Sequence, residues 1–136
     1  MAPLMKLLAL TVLAASLVLL SACHKTPAES GPVYIMLMYN GGDCVQNGDA
    51  GVVDVYPNQA VIYQGATAQA EFKIDFANCP LAAGNCPVDS PNGTSVNVGA
   101  PLASAVGSTY MYTGMTIDNR PCKGADSMGV RVRPAP

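Results

Sequence analysis

Residues 68–76 read AQAEFKIDF. Ala68, Ala70, Phe72, Ile74 and Phe76 fall on one parity, and Gln69, Glu71, Lys73 and Asp75 on the other. An extended chain therefore presents one apolar and one charged face, as in a strand that packs on one side and is wet on the other. Upstream, VYIMLMY (Val33–Tyr39) is apolar on both parities and reads as a central strand. VVDVY (Val52–Tyr56) and AVIY (Ala60–Tyr63) are shorter runs split by PNQ. Downstream, a long loop (Ala77–Gly93) leads to TSVNV (Thr94–Val98), STYMYTGMTI (Ser108–Ile117) and GVRVR (Gly129–Arg133).

About seven short strands separated by Gly, Pro and Asn turns predict an all-β fold, a small antiparallel β-sandwich. With 136 residues, 50% of them hydrophobic and 12% charged, the chain suffices for one compact domain and is too apolar for general disorder. The order of segments, with VYPNQAVIYQG before an alternating strand and GSTYMYTG late in the chain, resembles immunoglobulin-like and cupredoxin-like sandwiches in pattern. That resemblance carries over no functional residue. A type 1 copper centre would need two His and a Cys, and the one His is His24, outside the strand region.

The amino terminus is of another kind. Lys6 precedes a 14-residue apolar run, Leu7–Leu20, which is short for a membrane-spanning helix of about 20 residues and suits the core of a signal peptide. It ends in LSAC (residues 20–23). An ordinary secretory cut after Ala22 would want a small residue at position 20, where Leu stands. LSAC resembles the lipobox of bacterial lipoproteins, a resemblance covering residues 1–23. It implies removal of residues 1–22 and acylation of Cys23, which becomes the mature amino terminus. Two or three acyl chains make a lasting anchor where one is marginal. In Gram-negative bacteria such lipoproteins stay in the inner membrane when Asp follows the modified Cys; His24 stands there instead, so the resemblance favours an outer-membrane anchor with the domain facing the periplasm. Residues 23–32, CHKTPAESGP, are polar and turn-rich and read as a tether that reaches about 33 Å at most. Residues 33–136 form the single domain.

Apart from Cys23, four cysteines remain: Cys44, Cys79, Cys86 and Cys122. An even number in an exported chain points to two disulfides with three possible pairings. The six-residue spacer and the paired NCP triplets favour Cys79 with Cys86, which leaves Cys44 with Cys122. Loop entropy, about 2.5 kcal/mol for the short bridge and about 4.5 for the long one, does not itself select a pairing. The spacings suit neither a zinc finger nor a CxxC redox pair.

Sites of chemistry are thinly supported. GADSMG (Gly124–Gly129) misses the G-x-S-x-G pattern, and the domain holds no His to activate Ser127. Eight carboxylates (Asp43, Asp49, Asp54, Glu71, Asp75, Asp89, Asp118 and Asp126) could pair for acid–base work only if the fold converges them. Asp43, Asn47 and Asp49 gather oxygen ligands of the kind calcium takes, in residues equally at home in turns. Met36 with Met38, and Met111 with Met115, could each share a strand face and offer thioethers to Cu(I), or simply fill the core.

Loss of the leader removes Lys6 and leaves six basic against nine acidic residues, a net −3 that argues against nucleic acid. Arg120, Lys123, Arg131 and Arg133 cluster late, as an acidic-partner patch or as protection of an edge strand. The expectation is a non-enzymatic, membrane-anchored lipoprotein without a cofactor, with a structural or protein-interaction role and a protein partner in the envelope. The alternatives are an inhibitor or immunity protein using the Cys79–Cys86 loop, and a Cu(I)- or Ca²⁺-binding protein.

Overall fold

The computed structural model describes residues 31–67 and 69–135; the leader, Cys23 and the tether to residue 30 lie outside the described residues. Ten strands run in chain order: β1 (Val33–Asn40), β2 (Asp43–Gln46), β3 (Val52–Val55), β4 (Val61–Gly65), β5 (Phe72–Phe76), β6 (Val88–Ser90), β7 (Val96–Asn97), β8 (Thr109–Ile117), β9 (Arg120–Pro121) and β10 (Gly129–Val132). They form two sheets. The first has the order β2-β1-β4-β7; the second runs β3-β10-β8-β5-β6, with β9 paired to β8. The expected all-β sandwich is present, and both disulfides pair as expected, Cys44 with Cys122 and Cys79 with Cys86.

The topology departs from a purely antiparallel scheme in two places. β1 and β4 are parallel, with Val33 opposite Val61, and β10 and β3 are parallel, with Gly129 opposite Val52. Both arise from the chain crossing between sheets: β3 belongs to the second sheet, so β4 returns to the first alongside β1 without a hairpin. β10 consequently lies between β3 and β8 and is not the edge strand that its charges suggested. Three strands escape the sequence reading. β2 sits inside the Gly- and Asp-rich stretch, β6 inside the long loop, and β9 is two residues long.

β5 is also shorter than its alternation implies. It starts at Phe72, because Gln69 takes a left-handed φ of 66° and the Ala70 N–H closes a turn on the Thr67 carbonyl. Gly93 lies so close to the Gln69 backbone that a β-carbon there would overlap it. In β8, the pairing with β5 shifts register, so that Asp75 faces Gly114 while Phe76 faces Tyr112 and Thr113 is the extra residue. A bulge of this kind reverses the facing parity of the strand on either side of it. Tyr112, Met115 and Ile117 all point inward and are buried, whereas Met111 lies on the opposite parity to Tyr112. Met111 and Met115 therefore do not share a face.

Between the sheets, Ile35, Leu37, Val61 and Tyr63 from one side meet Phe72, Ile74, Tyr112, Met115, Ile117, Val130 and Val132 from the other. Phe76 packs its ring edge-on against Tyr112, centroids 5.0 Å apart. Within this apolar layer lies one fully buried amide, Gln46. Its Nε2 donates to the Gly51 and Gly129 carbonyls (2.8 and 2.7 Å), and its Oε1 accepts from the Tyr112 hydroxyl at 2.8 Å. Since a phenol carries one proton, the 3.1 Å contact between the Tyr63 and Tyr112 hydroxyls must be donated by Tyr63. The relay is thereby closed, and burial pushes both phenols well above the ordinary value. Gly129 accepts its bond at a point where any β-carbon would overlap the Tyr110 carbonyl.

Removal of each hydroxyl has a different consequence. Tyr112→Phe leaves the Gln46 oxygen buried without a donor and is expected to cost about 1–3 kcal/mol, whereas Tyr63→Phe removes only the terminal bond and should cost about 0.5–1.5 kcal/mol. Urea unfolding with the disulfides intact measures both; equal losses would mean that the relay does not run in this direction.

Candidate interaction surface

Alternation along β1 places Ile35 and Leu37 in the core and turns Tyr34, Met36 and Met38 outward, where they are 52%, 43% and 44% exposed. β1 is central by its pairing, as its composition suggested, yet its outer face is uncovered. Two neighbours extend the apolar strip, Val45 of β2 opposite Met38 and Ile62 of β4 opposite Tyr34, while the polar Gln64 of β4 stands opposite Met36. Asn97 of β7 lies beyond Ile62. Single exposed apolar residues are ordinary, but a row of three along one strand with apolar flanks is the kind of patch that marks a contact surface.

Asn47 completes the edge of the strip. β2 ends at Gln46, which would leave the first half of β1 unpaired on that side. Asn47 adopts a left-handed φ of 52°, and its side chain takes over as a surrogate strand. Its Oδ1 accepts from the Met36 N–H at 2.7 Å, its Nδ2 donates to the Tyr34 carbonyl at 3.2 Å, and its own N–H donates to the Met36 carbonyl at 2.8 Å. Asn47 is thus committed to the backbone. It does not combine with Asp43 and Asp49 as an oxygen cage, and no group of three or more His, Cys, Asp or Glu gathers among the described residues.

At the far end of β1 the sheets are tied together. Cys44 of β2 bridges to Cys122, just after β9. The Arg120 guanidinium lies 4.0 Å from the centre of the Tyr39 ring and 3.7 Å from Asp118, and the Lys123 N–H donates to the Gly42 carbonyl. Of the late basic cluster, Arg131 and Arg133 converge on one carboxylate, Asp54. Arg131 bonds both its oxygens (2.7 and 3.2 Å), and Arg133 adds a third bond at 3.1 Å. The Arg131 hydrogen bond, aided by Arg133, holds the Asp54 carboxyl below its ordinary range. The pair of arginines is therefore partly neutralised in place.

The remaining candidates are scattered. Ser127 donates to the Gly124 carbonyl at 2.7 Å within a 3-10 turn, Ala125–Ser127. Lys73 and Asp75 are exposed neighbours 4.0 Å apart. Glu71 and Asp89 line the same shallow depression of about 150 Å³ beside Lys73 and Ser90, and the Glu71 N–H donates to the Asp118 carboxylate at 3.1 Å. The Cys79–Cys86 loop is pinned by buried Pro80 and Leu81 and by the Asn85 Nδ2 bond to the Val98 carbonyl, and it exposes Ala82, Ala83 and Gly84 as its tip. Sequence reasoning missed the outer face of β1 because exposed and buried apolar residues look alike until register is known.

Substitutions at Asn47 and Asp54 separate their contributions. Asn47→Gly keeps the left-handed backbone and removes the amide; the Met36 N–H is expected to exchange with solvent at least about tenfold faster, the equivalent of a lost bond of roughly 1.4 kcal/mol. Protection unchanged in amide exchange would show that the edge is closed by something else. For Asp54, a lowered folded pKa supplies stability that is complete above the ordinary aspartate range and is lost as pH falls through the folded value. Asp54→Asn should therefore lower the urea midpoint at neutral pH, with the gap to the natural protein closing in acid; a gap constant with pH would exclude the ion pair as its source. Compared with known proteins, the chain matches no family model, no curated protein and no solved structure.

Proposed function

We propose that this protein is a lipid-anchored lipoprotein of the bacterial envelope, held by Cys23 in the outer membrane, with a disulfide-stapled sandwich that serves as an interaction module and not as an enzyme. The observation that carries the interaction role is the uncovered row Tyr34, Met36 and Met38 on a sheet stiffened from both sides. Tyr and Met are favoured at contact surfaces, because they bring large area and adaptable shape. The lipobox-like LSAC supports the anchor, and two bridges in the domain fit an oxidising compartment.

A second reading is an inhibitor or immunity role, favoured by the rigid tip Ala82–Gly84, since a loop fixed before binding loses little freedom on entering a cleft. Its signature would be saturable binding to a periplasmic hydrolase or toxin, abolished by bulky substitution at Ala83.

The main proposal is tested in cells. Mass spectrometry of the membrane-extracted protein should find an amino-terminal Cys23 carrying diacylglycerol, and Cys23→Ser should release the protein from the membrane. A photocrosslinking residue at Met36 should then form adducts that the same residue at Lys73, on the other sheet, does not. An intact leader or an unmodified Cys23 would sink the anchor, and indistinguishable crosslinking at the two positions would sink the contact surface.

A further inference from the structure

The two outer faces of the sandwich are chemically opposite. On the first sheet the face runs Tyr34, Met36 and Met38 with Ile62 and Val45 alongside, and its charges gather at the end where β1 meets β2, in Asp43 and its bridge partner Lys123, with Asp118 and Arg120 beside Met38. On the second sheet the outward positions include Asp54, Lys73, Asp75, Asp89, Arg131 and Arg133. A domain that tumbled freely in water at the end of a tether would have no use for this division.

The apolar face also begins where the chain arrives. Gly31 and Pro32 lead directly into Val33, one residue before Tyr34. Cys23 lies ten residues ahead of Val33, so an anchor there keeps that end of β1 within about 33 Å of the lipid at full stretch. The strip itself extends about 13 Å from Tyr34 to Met38. The uncharged end of the face is the end by which the chain enters, and Asp43 lies at the opposite end, across from Asn40.

We propose that this face rests on the interface of the bilayer that carries the anchor, with Tyr34, Met36 and Met38 among the headgroups and upper acyl chains and the charged sheet turned to water. The proposal rests on lipidation of Cys23. A tyrosine with a polar tip and an apolar ring suits the interfacial zone, and flexible thioethers fit its irregular packing. A lipid surface is favoured over a protein partner because tethering brings the bilayer to this end of the sheet at high effective concentration, and because the face has no charged group near Tyr34 to fix a partner's register. Contact here draws on apolar burial, so it should withstand salt that screens headgroup attraction.

The chain contains no Trp, so one introduced Trp reports without background. Full-length lipidated protein carrying Met36→Trp, or Lys73→Trp as the opposite-face control, is reconstituted into 3:1 phosphatidylethanolamine–phosphatidylglycerol vesicles with or without acyl-chain bromination. Both positions are exposed, and intact disulfides confirm the fold. The Met36→Trp emission should shift to the blue and lose roughly half its intensity to brominated lipid, in low and high salt alike, as expected for a face buried about 5–10 Å into the interface. Lys73→Trp should be unaffected. If Cys23 is shown by mass to be acylated and Met36→Trp is not quenched, the face does not lie on lipid, although the anchor stands. An unmodified Cys23 would remove the anchor and this proposal together. Protein adducts at Met36 in native membranes, with no lipid adduct, would assign the face to a protein partner and overturn the lipid contact.

Discussion

Two phenols and one amide, all withdrawn from water, decide how the two sheets meet. Tyr63 and Gln46 belong to the first sheet and Tyr112 to the second, and the Gln46 amide reaches on to the carbonyls of Gly51 and Gly129. A hydrophobic layer alone tolerates sliding; a closed chain of directional bonds in a low-dielectric interior does not, because any displacement leaves a buried polar atom without a partner. The relay fixes the depth of β2 against β8 and β10. Gly129, whose carbonyl accepts from Gln46, has no room for a side chain, because β10 lies so close to β8 there that a β-carbon would overlap the Tyr110 carbonyl.

Around that fixed point the rest of the fold is arranged as closure. The Cys44–Cys122 bridge, the Arg120–Tyr39 stack and the Lys123 backbone bond tie the far end of β1 to the second sheet, while the short bridge shapes only its own loop. The sheet that carries the apolar strip is thereby rigid at one end through covalent and cationic contacts and at the other through Asn47. A strip on so stiff a base loses little freedom when it is covered.

Much of this was legible in the sequence, and the failures have physical causes. The alternation of Phe72–Phe76, the strands β1, β4, β8 and β10 and the cysteine pairing follow from local pattern and spacing. β2 was hidden because a strand of four residues among Gly, Asn and Asp looks like a turn, and one of its two inward residues is a polar Gln46 made acceptable by the distant Tyr112 and Gly129 together with Gly51. The parity of Met111 and Met115 depended on a bulge that is a property of the pairing with β5, not of β8 alone. The position of β10 in mid-sheet depended on β3 running parallel to it, a partner 77 residues earlier along the chain, as the Arg131–Asp54 bond records.

Asn47 has a chemical lifetime as well as a structural role. It is followed by Gly48, the neighbour that least hinders attack of the backbone on a side-chain amide. Conversion of this amide to a carboxylate, the common ageing reaction of Asn-Gly pairs, would keep an acceptor for the Met36 N–H but set a bare oxygen against the Tyr34 carbonyl, where a donor now stands. One lost nitrogen would open the edge of β1 beside the apolar strip, so the age of a molecule would be written into its first strand.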